Sequence, residues 1–213
     1  MYESFENLPE DKKKRIIEAS IEEFAKKGYE KASTNNIVKT AGISKGILFH
    51  YFGSKKNLYL YIIDYILKYL IEKFYKINEK PSPDIFERLL ERGIIKLKLA
   101  YEHPLMYELL YKAFVDAPEE LRSELQERYM KLYVHNEQCF YEGFDMSKFR
   151  EDVNPQKAIE LIMLFLEGLS SKYINTYRNK KISPEAALAE IEKITEKVRE
   201  YFEILKKGMY KQM

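Results

Sequence analysis

From about residue 10 to about residue 207 the chain repeats apolar residues three and four apart, the signature of amphipathic α-helices. No stretch alternates residue by residue as a half-buried strand does. Ile16, Ile17, Ser20, Ile21 and Phe24 form a stripe that stops at Gly28, which predicts a helix over about 10–27. Ser33 is placed to cap a helix at Thr34–Ala41, with Ile37, Val38 and Ala41 inward, and Gly42 to end it in a left-handed turn. Three residues later Ser44 opens a helix at Lys45–Phe52 that turns Leu48 and Phe52 to the core. The stretch 54–77 repeats the pattern at length. Beyond Pro81 and Pro83 a helix runs to about 101, and Pro104 forces a fresh start to about Phe114. Pro118 suits the first turn of a helix that ends near Glu142. Gly143–Asn154 reads as a loop, and helices over about 155–179 and 184–207 finish the chain, the second opened by Ser183 and Pro184. The fold class is therefore all-α, with about nine helices.

Composition narrows the setting. A chain of 213 residues that is 46% hydrophobic can bury a core in one or two domains and is too apolar for a disordered polymer. The single Cys139 excludes an internal disulfide, and no early apolar stretch follows a basic start. The expected compartment is the cytoplasm, without a membrane partner. Net charge is only +2, but Phe24–Leu60 carries seven basic residues against one acid, Glu30, and the remainder is close to neutral.

Within that basic stretch, helix, glycine turn and second helix form a helix-turn-helix layout. The second helix leaves Lys45, Gly46, Ile47, Phe49, His50 and Tyr51 on its outer face, which is unusually aromatic for a surface in water. Lys55 and Lys56 directly follow Ser54, at the positive end of the next helix dipole, where each costs about 0.3–1 kcal/mol when exposed. An anion at that helix start would remove the conflict.

The segment GYEKASTNNIVKTAGISKGILFHYFGSKKNL, preceded by RIIEASIEEFAKKGY, resembles the DNA-binding domain of the TetR/AcrR family of transcriptional regulators over about 12–60. That resemblance implies a three-helix DNA-binding domain at 1–53, followed by a larger helical ligand-binding and dimerisation domain at 54–213. It places Lys55 on a DNA phosphate, Thr34 and Asn35 on backbone or bases, and Lys45, Gly46, Ile47, Phe49, His50 and Tyr51 along the major groove, with Ser44 also among the DNA-binding residues. Gly46 costs up to about 1 kcal/mol within a helix, which fits a close backbone approach. Phe49 stands where the family commonly has tyrosine, Ile47 where a small or hydroxylated residue is usual, and Asn36 where an acid completes the capping box. Ile47 thereby favours apolar contact with a thymine methyl.

In the C-terminal region the family binds an inducer and dimerises. Eighteen tyrosines and no tryptophan supply amphipathic lining for a pocket. The candidates are Tyr61, Tyr65, Tyr101, Met106, Tyr107, Leu110, Tyr111, Phe114, Tyr133 and Phe165, with Tyr69 continuing the spacing of Tyr61 and Tyr65. Such aromatic stripes are more often ordinary core than pocket lining. The stretch 158–174, AIELIMLFLEGLSSKYI, is apolar on more than one side and carries Gly168, Ser170 and Ser171. With the last helix it would form a two-fold interface.

The expected function is a ligand-responsive dimeric repressor that binds palindromic double-stranded operator DNA and leaves it on binding a small hydrophobic inducer. The alternative is a helical protein-binding scaffold whose head has lost DNA binding. Catalysis finds little support: Glu102, His103 and Glu108 lack the Glu-x-x-His pairing of a carboxylate-bridged metal site. His50, His103 and His135 are scattered, and neither a Ser/His/Asp arrangement nor a phosphate loop is present. No catalytic residue, metal ligand or cofactor is assigned.

Overall fold

A computed structural model describes residues 2–78, 80–141, 144–177 and 184–211, with the side chains of 132–143 and 170–188 outside that description. Ten α-helices follow in order among the described residues: α1 Glu3–Glu6, α2 Glu10–Lys31, α3 Thr34–Ala41, α4 Lys45–Phe52, α5 Lys55–Ile77, α6 Ile85–Glu102, α7 Pro104–Phe114, α8 Arg122–Tyr141, α9 Pro155–Tyr177 and α10 Pro184–Met209. The β-type pairing among them is a single bridge between Phe149 and Tyr210.

Several boundaries differ from the pattern, each for a local reason. Helix α1 is too short to show periodicity; it forms where Phe5, fully buried, sets its ring against Phe52, Tyr51 and Tyr61. The helical bonding of α2 is interrupted at Gly28, whose φ of 71° only glycine adopts readily, and a further turn then buries Tyr29. Pro118 has extended ψ and precedes a 3-10 turn, Glu119–Leu121, so α8 begins at Arg122 rather than at the proline. The expected loop after α8 holds a second 3-10 turn, Met146–Lys148, where Asp145 accepts the Ser147 N–H and hydroxyl. The cap expected from Ser183 lies outside the described residues.

The chain divides into two compact units, one of residues 1–77 and 102–140, the other of 78–101 and 141–213. In the first unit the predicted stripe of α2 is buried: Ile16, Ile17, Ile21 and Phe24 join Ile37, Leu48, Phe52, Leu58, Ile62 and Ile63, and Ser20 returns its hydroxyl to the Ile16 carbonyl. Leu109 and Ala113 of α7 are buried as well, and α7 packs along α2 and α5. Each fully buried large apolar side chain contributes about 1.5–3 kcal/mol, so the small head is anchored by the helices around it.

In the second unit Phe86, Phe149, Phe202 and Tyr210 form an aromatic cluster, with Phe86 edge-on to both Phe202 and Tyr210. Asp84 opens α6 by accepting the N–H groups of Phe86 and Glu87, while its second oxygen takes the Lys148 ammonium at 2.9 Å.

Candidate nucleic-acid interface

The turn between α3 and α4 forms because Gly42 adopts φ 67°, ψ 40°, and the Ile43 N–H then reaches back to the Val38 carbonyl at 3.0 Å. Ser44 caps α4 as its position suggests, its hydroxyl accepting the Ile47 N–H at 3.3 Å. Ser33 does not cap α3 with its side chain. Glu23 of α2 instead takes the place of the missing acid of the capping box, accepting the Ser33 N–H at 2.9 Å and the Asn36 side-chain amide at 3.4 Å. Asn36, the departure from the usual acid, thus becomes a donor to an acid on another helix.

Leu48 and Phe52 are buried and fix the rotation of α4, so its opposite face is outward. Asn35, Ser44, Lys45, Gly46, Ile47 and His50 are exposed, and Thr34, Phe49, Tyr51 and Lys55 are half-buried. Lys45 extends its ammonium to 5.9 Å from the Phe49 ring, covering an aromatic face that would otherwise meet water. Tyr51 leans back on Phe5, with the Lys12 ammonium 5.9 Å from its ring. Sequence spacing did not reveal Phe5, Lys12 or Glu23, since they reach the site from α1 and α2.

Gly46 has ordinary helical backbone, and a Cβ there would meet only Ser44 Oγ, at 4.0 Å. Nothing within the protein requires glycine.

The charges at the helix starts are unevenly distributed. Helices α3, α4 and α5 have no acid in their first turns, whereas α2 begins with Glu10 and Asp11. Each of the three leaves the positive end of its dipole uncompensated by protein charge. Of the seven basic side chains in this stretch, Lys26 pairs with Glu22 and Lys56 with Glu124 of α8 at 2.5 Å. Among the described residues Lys27, Lys31, Lys39, Lys45 and Lys55 have no carboxylate partner. Lys55 is nonetheless held in place: its ammonium donates to the Glu30 carbonyl at 3.0 Å and lies 4.9 Å from the centre of the Tyr29 ring. One adjacent lysine is thus ion-paired, and the other keeps a net positive charge on an ordered stem.

The residues expected to line a pocket are divided between the two units. Tyr61, Tyr65, Met106, Tyr107, Leu110, Tyr111 and Phe114 lie in the first unit, Tyr101 and Phe165 in the second, and the Tyr133 side chain lies outside the described residues. Tyr61 is committed to packing under α1, with its hydroxyl donating to Glu6 at 2.7 Å and its ring against Phe5 and Phe52. Tyr65 stacks on Tyr69, whose hydroxyl meets His103. Burial pushes the Tyr107 phenol up to about 12. Phe114 contacts Tyr129, and Phe165 contacts Tyr201 and Phe202. Among the described residues no three His, Cys, Asp or Glu side chains approach one another closely enough to hold a metal ion, and no helix is long and apolar enough to cross a membrane.

This arrangement of α3 and α4 on an all-helical frame defines a helix-turn-helix DNA-binding regulator. The family model described as bacterial regulatory proteins, tetR family, matches residues 16–62, and that of the tetracyclin repressor-like C-terminal domain matches 83–210. The chain belongs to the TetR family. Among its relatives, the biofilm operon icaADBC HTH-type negative transcriptional regulator IcaR of Staphylococcus epidermidis is 27% identical over 171 residues, covering 73% of this chain and 80% of that protein. The HTH-type transcriptional regulator YerO of Bacillus subtilis is 35% identical over 82 residues, 37% of this chain and 28% of its own. Two solved structures share the fold across nearly the whole molecule. A TetR family regulator from Chloroflexus aurantiacus superposes with a TM-score of 0.62 at 24% identity, covering 99% and 98% of the two chains. A TetR/AcrR-type transcriptional regulator from Aquifex aeolicus gives 0.63 at 25%, covering 91% of this chain and 99% of its own.

Proposed function

We propose that this regulator is a ligand-responsive dimeric repressor, which holds a palindromic operator through α4 and releases it when a small, largely hydrophobic inducer binds the C-terminal region. The observation that carries the DNA-binding half is the start of α4 and α5: exposed Lys45, Gly46 and Ile47, acid-free first turns, and an ordered Lys55 without a carboxylate partner. Thr34, Asn35, Ser44, His50 and Lys55 hold backbone, while Lys45, Gly46, Ile47 and Phe49 face base edges; Tyr51 supports the end of α4 against α1. Repression is the role named for the Staphylococcus epidermidis relative.

In this reading residues 1–53, joined by Lys55 at the start of α5, make the DNA contacts, and the rest of 54–213 binds ligand and the second copy. On α9, Leu161 and Leu164 are exposed at 52% and 59%, and on α10 Ile204 is exposed at 67%. Apolar side chains on the last two helices suit a two-fold interface, which would present two α4 helices to half-sites about 34–36 Å apart or a multiple of that. The protein would act in the cytoplasm, where its operator is.

Inducer binding must favour the DNA-incompetent arrangement, and operator DNA must weaken inducer binding by the same factor. The physical links to the head within the first unit come from α7 and α8. Lys112 of α7 donates to the Ala25 carbonyl of α2, Glu124 of α8 takes Lys56, and Arg128 binds Asp64 of α5 through two bonds of 2.7 and 3.0 Å. A shift of α7 or α8 would therefore move α2 and the start of α5 directly.

Fluorescence anisotropy on labelled DNA from immediately upstream of the protein's own gene, against scrambled duplex and across a salt series, tests this reading. Selective binding that weakens with salt is the expected result. Equal, weak binding to every duplex, including those selected from random sequence, would overturn it.

A further inference from the structure

Lys55 stands one turn before Tyr59 on α5, so the two share a face of that helix. Tyr59 is fully buried, with its ring edge-on to Phe24 at 4.9 Å and to Tyr29 at 5.0 Å. Tyr29 is also buried, and the Lys55 ammonium lies 4.9 Å from the centre of its ring. A row of rings, Phe24, Tyr59 and Tyr29, thus runs from the core of the head to a cation at its surface. Burial, and then a bond to Glu120, raise the Tyr29 phenol above its ordinary range. The ring beneath Lys55 is therefore neutral and attracts the ammonium through its face.

The backbone completes this seat. Gly28 interrupts α2 at φ 71°, and the further turn that follows ends in carbonyls with no helical partner. One of them, the Glu30 carbonyl, accepts the Lys55 ammonium at 3.0 Å. The negative end of the α2 dipole thereby faces the cation that the positive start of α5 disfavours. Lys27, Lys31, Lys39 and Lys45, which also lack a carboxylate partner, have no such bond among the described residues. A lysine ordinarily reaches a phosphate on a flexible stem whose freedom is lost on binding. In Lys55 much of that freedom is already gone, while the remaining N–H donors of the ammonium stay available.

We propose that Tyr29 is a positioning residue for DNA binding: its ring and the Glu30 carbonyl hold the Lys55 ammonium where it meets a backbone phosphate, so the contact forms without ordering a free side chain. The proposal rests on the DNA-binding reading above and adds to it a residue that does not itself touch DNA. Core packing alone, the other role open to a buried tyrosine, gives a different pattern of losses.

A double-mutant cycle on operator DNA, read by fluorescence anisotropy with the full chain, separates the two roles. Tyr29→Leu should weaken operator binding by about three- to tenfold, and Tyr29→Phe, which keeps the ring, should bind as wild type does. In a Lys55→Met background Tyr29→Leu should change affinity less than about twofold, because the cation it positions is gone. Circular dichroism and thermal unfolding verify that each variant is folded at the assay temperature. An equal loss in both backgrounds, or a loss in Tyr29→Phe as large as in Tyr29→Leu, would assign Tyr29 to packing and overturn the proposal. Tighter binding by Tyr29→Leu would also overturn it, by showing that the ring competes with phosphate for the lysine. A measurement without DNA keeps the clamp apart from the DNA-binding reading. In NMR spectra of the free protein the Lys55 ε-methylene protons, assigned by their absence in Lys55→Met, should be shifted upfield by the Tyr29 ring current and should return to the ordinary lysine position in Tyr29→Leu. The shift without selective operator binding would overturn the DNA-binding reading and, with it, the use proposed for the clamp. Selective binding without the shift would leave the regulator intact and remove Tyr29 as its positioning residue.

Discussion

At the scale of single residues, Gly46 and Lys55 show how a binding surface departs from what the free protein prefers. Gly46 occupies a helical position where a methyl group has space, so Gly46→Ala should stabilise the fold by a few tenths to about 1 kcal/mol. The same methyl would stand between α4 and DNA, and operator affinity should fall at least tenfold. Thermal unfolding and anisotropy on one sample give both values, and a variant that binds DNA normally would remove the argument for close approach. The adjacent lysines offer an internal control. Lys55→Met should reduce the slope of log affinity against log salt by about 0.9, the contribution of one phosphate contact. Lys56→Met should leave the slope unchanged, because that ammonium is paired with Glu124. Equal slopes for the two variants would show that neither lysine is distinguished by its environment.

At the scale of elements, helix starts are decided by partners the local pattern does not contain. The segment SPDIFERLL shows a helix beginning after Pro83, and Asp84 starts it by accepting two backbone N–H groups. Asp84→Ala should cost about 1–2 kcal/mol, the range for a lost N-cap, measured as a fall in denaturant midpoint. Burial alone would raise the Asp84 pKa, but the bonds from Lys148 and the Glu87 N–H outweigh it and keep the carboxyl below its ordinary value of 3.8. A depressed carboxylate pKa contributes stability above pH 3.8 that disappears as the pH falls through the lowered value. The difference in stability between wild type and Asp84→Ala should accordingly shrink in strong acid; an unchanged difference there would assign the effect to packing. Helix α3 follows the opposite route. Its serine was visible in the sequence, but Glu23 takes up the Ser33 N–H, thirteen positions before the Asn36 that shares it. Helix α1 was likewise invisible, since four residues carry no period and Phe5 acquires its meaning only beside Phe52 and Tyr61.

For the whole molecule, the exposed apolar side chains of α9 and α10 bear on assembly. Leu164 is 59% exposed, so Leu164→Glu should alter the stability of the single chain by no more than about 0.5 kcal/mol. In a two-fold interface each dimer would carry the new charge twice, and light scattering after size-exclusion chromatography should show monomers at micromolar concentration. Affinity for the full palindrome should drop while half-site binding is retained. A dimer that persists would place the interface elsewhere.

The sequence by itself determined the all-helical class, the α3–turn–α4 motif and the outer face of α4, because these depend on local periodicity, two glycine or serine punctuation marks and side chains within one or two turns. Tertiary structure alone decided which lysine after Ser54 is paired, that Glu23 of α2 accepts the Ser33 N–H at the start of α3, and that Tyr61 supports α1. The physical reason is the same in each case. A helix pattern specifies which residues share a face, but not what stands opposite that face, and charge pairing and capping from a distance are properties of the opposing element.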